Sequence, residues 1–475
     1  MPASVKRSLS RREFLRLGVL GAGAAVLAAC QPKVVQVEKE KVVKETVVVQ
    51  EKVSEVQTVV ATAAPEKKTV IVWWEDWGQV YNDLMLPIGK SYMEEHPNIT
   101  IEWTFQPQWR EKFLTAIAAG TAPDATMVRP NDLIGLALDG TFLPLDAYFV
   151  QTGLKRTDFI TAMYDSCLWD GKLYALPGGA DFNDFYYSKD VFRDVGLDPE
   201  KPPVTLDELV EQSLTILKKD STGAIERLGW SPGSWDLNYL IPLFGGSLYD
   251  IPNRKFTVND PKNVRCLEWV KAYVDKIDVN QLAAFNQSLP DFWSPGNSFA
   301  SKKTAFRCDG YWTYETLDQY APDVDYGICF TPTLNGTPEE RSRYWVAGWL
   351  VGIPSQAKQA DEGWDFLKYG WVDQAWKMGC ETLNGCCVIA EMERYTQCVM
   401  DKLGPKNRMT PYFHIFAEHG KAATQFAPPT PVTTKLMDEL GRVYDYVMRG
   451  EKTAQAALDE LNDTIQKELD GVLNK

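Results

Sequence analysis

The sequence predicts an α/β fold in which helices cover a largely parallel sheet. Three observations carry that expectation. Strand-like and helix-like segments alternate from Thr69 onward. A composition of 45% hydrophobic, 12% aromatic and 24% charged residues is that of a globular chain with ample means to bury a core. At 475 residues the chain exceeds what one core organises, so two or three lobes are expected.

Before the fold begins, residues 1–29 read as an export signal. Ser10-Arg11-Arg12-Glu13-Phe14-Leu15-Arg16 precedes an uncharged stretch from Leu17 to Ala29. A basic start, an apolar core of about a dozen residues and a small-residue end make a secretory signal too short to span a membrane. The paired arginines resemble the twin-arginine signal, and Leu27-Ala28-Ala29-Cys30 resembles a lipobox whose Cys30 receives the lipid. Gly21-Ala22-Gly23 lies inside the signal core with no strand before it, which removes the dinucleotide-loop reading. Cleavage before Cys30 takes away five cations and one anion and lowers the net charge from −14 to −18. So acidic a chain is no partner for a phosphate backbone, and nucleic acid is excluded as a ligand.

Residues 30–68 read as a tether. From Gln31 to Lys68 there is no glycine and no aromatic residue, so the stretch can bury little; fully extended at ~3.3 Å per residue it could reach about 120 Å.

The first strand is the β-rich run Val70-Ile71-Val72-Trp73-Trp74, broken at Glu75-Asp76-Trp77-Gly78. Apolar spacing from Tyr81 to Met93 predicts a helix that stops at His96-Pro97, and Ile99 to Trp103 resumes strand alternation. A second helix is expected over Trp109–Ala119, stopped by Gly120. Ala125–Val128 is then a short apolar strand ending at Arg129-Pro130-Asn131-Asp132.

Five further segments follow in order. They are AIAAGTAPD from Ala116, GKLYALP from Gly171, FYYSKDVFRDVGLD from Phe185 with Pro203-Val204-Thr205-Leu206-Asp207-Glu208, AFRCDGYW from Ala305, and YWVAGWLVGIP from Tyr344, after which a helix is expected from Ala360 to Trp371. In order and spacing the chain resembles extracellular solute-binding protein family 1, the maltose-binding-protein-like sugar-binding lipoproteins of ABC importers. The resemblance implies two α/β lobes joined by hinge crossovers, with a ligand clamped in the interlobe cleft. It implies residues 69–179 plus 343–378 for lobe 1 and 180–342 plus 379–475 for lobe 2. It also implies a cofactor-free monomer that binds a carbohydrate and docks on ABC permease subunits, with the ATPase on a separate chain.

A sugar needs directed donors and acceptors for its hydroxyls and flat apolar surfaces for its C–H faces. In open α/β sheets such groups belong on loops at the carboxyl ends of strands. Candidate contacts are therefore Trp74, Glu75 and Trp77 after the first strand, and Arg129, Asn131 and Asp132 after the third. Asp181 and Asn183 follow Leu176-Pro177, where the family places polar contacts, and Trp230, Trp235, Asp236 and Asn238 form a similar cluster. Asp309, Tyr311 and Trp312 surround a Gly-x-Trp motif whose tryptophan the family stacks on a sugar ring, and Gly348 and Trp349 lie where the backbone approaches a ligand closely.

Sixteen tryptophans are more than one cleft uses. Trp364 and Trp371 recur at helical spacing and are assigned to the core, as are Trp269 and Trp376 within predicted helices. Asp124 after Pro123 is ordinary turn or capping chemistry. Eight cysteines remain after Cys30; one or two disulfides near Cys380–Cys398 are expected, and the spacing there lacks the pattern of a zinc site.

Three histidines, no Gly-x-Ser-x-Gly elbow and no phosphate-binding loop argue against an enzyme. Two alternatives stay open: a secreted lipoprotein glycoside hydrolase using a carboxylate pair, and a binding protein for a phosphorylated polyol, for which only Arg129 is an obvious cation.

Overall fold

The computed structural model describes residues 68–290 and 294–474. The paired arginines and Cys30 lie outside them.

The expected elements form with small shifts: β1 is Thr69–Glu75, α1 Gln79–Glu95, β2 Ile99–Phe105, α2 Trp109–Ala119 and β3 Ala125–Val128; a helix that the sequence reading did not include, α3 Pro130–Leu138, follows. Gly120 ends α2 at φ 69°, a left-handed conformation that glycine adopts without steric cost. Pro130 opens α3, where its missing N–H costs nothing.

The later strands are β4 Leu176–Asp181, β5 Asn183–Ser188, β6 Phe306–Gly310, β7 Tyr326–Cys329 and β8 Ala347–Gly352. The larger sheet has the order β2-β1-β3-β8-β4. Pairing is parallel among β2, β1 and β3, whereas β8 runs antiparallel to both neighbours. Four of the five strands thus run in one direction, as expected of a largely parallel sheet, and β8 alone, which returns from far along the chain, enters against them. A smaller antiparallel sheet has the order β6-β5-β7. Only Phe182 separates β4 from β5, so the chain steps directly from one sheet to the other. The segment leading into β8 runs beside the one that leaves the helix Phe413–Ala422, with Trp345 bridged to Gln425.

Trp73 packs among Trp103, Phe366 and Trp371 at centroid separations of 5.9, 5.9 and 4.7 Å. Burying rings of this size supplies roughly 1.5–3 kcal/mol each. Trp371 and Trp364 are core residues as expected, the latter stacked on Tyr148. The helix expected over Ala360–Trp371 is α-helical only to Lys368 and continues as a π-helical turn over Tyr369–Asp373, which carries Trp371 inward. Asp124 has the capping role expected of it: Oδ1 accepts from the amides of Lys358 and Gln359, each at 2.9 Å, and Oδ2 from Val72 at 3.0 Å. One disulfide joins Cys380 to Cys398, while Cys167, Cys266, Cys308, Cys329, Cys386 and Cys387 are free thiols. Gly385 exchanges two backbone hydrogen bonds with Ala180 on the β4 edge.

Candidate binding cleft

The carboxyl ends of β1, β3 and β4 and the start of β8 meet at one edge of the larger sheet, as the parallel and antiparallel registers require. A cleft there divides into two chambers of about 380 and 530 Å³. Asp181, Trp235 and Ala347 line both, so the two are continuous.

The larger chamber is polar. Asp181, Asn183, Asp236, Arg307 and Asp309 line it together with Trp312. Arg307 and Asp309 alternate along β6 and so share a face, and they pair at 2.5 Å. Asp236 accepts from the Tyr239 hydroxyl and the Gly233 amide, each at 2.6 Å. Burial nonetheless lifts its carboxyl to about 6 against those donors and Arg307. Asp181 rises to about 7, chiefly by burial, with Asn384 opposing and Asp309 adding to the rise. These carboxylates have lost much of their hydration, so hydroxyl donors from a ligand would replace water at little desolvation cost.

The smaller chamber is walled by Trp235, Trp345, Trp349, Phe426 and Met437, with Arg129, Asn131, Asn238 and Gly348 on its lining. Arg129 pairs with Asp76 at 2.9 Å and stands 5.2 Å over the Trp349 ring. Gly348 is required by close approach: a Cβ there would stand 2.1 Å from the Gly179 carbonyl oxygen.

Five expected contacts lie outside these chambers. Glu75 is fully buried, its Oε2 accepting from the Trp77 amide at 2.6 Å, because the carboxylate folds back on its own turn. Trp77 stands behind Trp349, the rings edge to face at 5.2 Å, and so supports the wall. Trp74 is half-buried against the core. Asp132 is tied to Arg110 at 3.1 Å. Tyr311 is fully buried among Phe413 and Phe416, in the turn that follows β6, while Trp312 opens the next helix and lies toward the cleft. Trp230 borders the polar chamber, but its ring is 2% exposed and stacks on Tyr273 at 5.4 Å, which makes it core and corrects the expectation of a stacking platform. Trp235, by contrast, is 59% exposed and meets Trp345 edge to face.

Sequence reasoning passed over Arg307, although two-residue spacing from Asp309 marked it, and Trp345, within a segment already singled out. Met163, Phe426 and Met437 come from distant helices and loops and carried no local signal.

The sequence profile of bacterial extracellular solute-binding proteins matches residues 65–370. The chain belongs to this family. Among family relatives, a binding protein of Brucella abortus is 25% identical over 287 residues, 59% of this chain and 67% of that one. The multiple sugar-binding protein of Streptococcus mutans is 23% identical over 366 residues, 74% and 77% of the two chains. The solved structure of CpMnBP1 with mannobiose bound superposes with a TM-score of 0.68 at 24% identity, covering 84% of this chain and 99% of that one. The two-lobed fold of the family is therefore the fold of this protein, and these relatives are binding proteins. No helix among the described residues is long and apolar enough to cross a membrane.

Proposed function

We propose that the protein captures a mono- or oligosaccharide between its lobes and delivers it to an ABC permease whose ATPase is a separate chain. The observation that carries this is the polar chamber, where Asp181, Asp236 and Asp309 face the same space as the half-buried Trp312 ring. Carboxylates for hydroxyls beside a ring for a C–H face is the donor set a sugar requires. Lobe 1 takes residues 69–179 and 343–378, lobe 2 takes 180–342 and 379–475, and residues 384–388 side with the β4 edge. Ligand contacts made only when the lobes meet shift the population to the closed form, which the permease recognises. The protein acts as a monomer tethered through lipid on Cys30, and it releases its ligand chemically unchanged.

An anionic ligand such as a phosphorylated polyol is disfavoured, because Arg129 and Arg307, the arginines lining the chambers, are held by Asp76 and Asp309. A thermal-shift screen over mono- and oligosaccharides tests the proposal: a sugar that binds the folded state raises Tm by mass action. A panel in which no carbohydrate does so ends the reading. Incubation with oligosaccharides that yields shorter products would instead make the protein a hydrolase.

A further inference from the structure

The two chambers differ in what they can satisfy. In the polar one, Asp236 takes donors from Tyr239 and Gly233, and Asp309 takes them from Arg307 and the Gly310 amide. A carboxylate accepts roughly four, so both keep capacity for ligand hydroxyls. The smaller chamber is different. Met163, Val346 and Leu440 are aliphatic and buried, Phe426 and Met437 are half-buried, and none offers a partner to a hydroxyl. Three of its polar side chains are already engaged, Arg129 by Asp76, Ser166 Oγ by the Met163 carbonyl at 2.7 Å, and Asn238 Nδ2 by the Trp235 carbonyl at 2.9 Å, while Asn131, Ser234 and, where the chambers meet, Asp181 also line it. The Trp349 ring carries the Arg129 guanidinium, and Trp345 meets the edge-to-face Trp235 ring. A pyranose placed here would bury hydroxyls beside methionine and leucine, at the cost of lost hydration. An apolar group would release water from the same walls.

Resting on the carbohydrate reading above, we propose that the ligand is a glycoside in two chemical halves. Its sugar occupies the polar chamber, and an apolar, ring-sized aglycone crosses between Asp181, Trp235 and Ala347 into the smaller one. That chamber, at about 380 Å³, is of the size that holds small ligand moieties.

The test takes the hexose that binds best in the sugar screen and compares three derivatives of it by calorimetry, in both anomers: the methyl glycoside, the p-nitrophenyl glycoside and the disaccharide. The p-nitrophenyl glycoside is expected to bind about ten-fold or more tightly than either of the others. Met437→Gln is expected to remove most of that advantage, with a Tm near that of wild type showing that the variant is folded. Any other ranking overturns the proposal; a disaccharide that binds tightest assigns the second chamber to another sugar ring and leaves the carbohydrate reading standing. If no sugar in the screen binds, the carbohydrate reading fails and the aglycone with it.

Discussion

The indole of Trp312 lies directly over Gly310: a Cβ on residue 310 would stand 2.2 Å from the ring. The Gly-x-Trp spacing thus has a steric cause. Only glycine lets the ring fold back at the end of β6, where it borders the polar chamber. Trp312→Ala should weaken binding of the best sugar by ~1–3 kcal/mol, or about 5- to 150-fold, with a near-normal Tm. Gly310→Ala should weaken it as well, by displacing a ring that is still present. Titration calorimetry and melting curves of both variants check this, and unchanged affinity in Trp312→Ala would remove the stacking role.

Glu75 should make stability fall as pH rises. Burial lifts its carboxyl to about 7 from 4.5, against the amides of Trp77 and Gly78, which pull it down. Between those two values the folded protein keeps a proton that the unfolded chain has released, so raising the pH through that window costs stability. Glu75→Gln should be more stable than wild type at pH 8 by about 3 kcal/mol, and nearly equal to it at pH 4. Urea unfolding at both pH values decides this; an equal difference at the two would show that the carboxyl does not titrate in that range.

The Cys380–Cys398 bridge closes a loop with a sequence separation of 18. Constraint of the unfolded chain by such a loop is worth ~3 kcal/mol. Cys398→Ser is expected to lose about that much in urea unfolding, and wild type under reducing conditions to lose the same. A reductant that further destabilised the variant would contradict a single bridge.

Beneath the cleft, His419 Nδ1 lies 2.7 Å from Asp184 Oδ1, both groups buried, with the Thr331 amide donating to the same oxygen and the Tyr344 ring tilted against the imidazole at a centroid separation of 3.9 Å. Burial raises the Asp184 carboxyl and His419 counteracts it. His419→Ala leaves that carboxylate without its partner, and a loss of roughly 3–5 kcal/mol is expected. Restoration of stability by Asp184→Asn in the same background would trace the loss to the stranded charge, and no restoration would place it in the lost ring packing.

Much of this was written locally. Alternation of β-rich and helical spacing and the stop at Gly120 depend on neighbours a few residues away, and each formed where the sequence placed it, whereas the amides that Asp124 caps, at Lys358 and Gln359, come from far along the chain. The five ordered segments sufficed to establish the family. Tertiary structure alone decided which aromatic residues face the cleft. Trp230 and Trp235 lie five residues apart, yet one stacks on Tyr273 in the core and the other stands 59% exposed, because a helix from distant sequence covers only the first. Tyr311 and Trp312 are adjacent in the turn after β6, and only the packing of Phe413 and Phe416 fixed which ring turned inward. The antiparallel entry of β8, the turn of Glu75 onto its own backbone and the assembly of Met163, Phe426 and Met437 into one wall have the same origin. Hydrophobic pattern fixes which residues seek burial, whereas the partner that buries them is set by contacts between segments hundreds of residues apart.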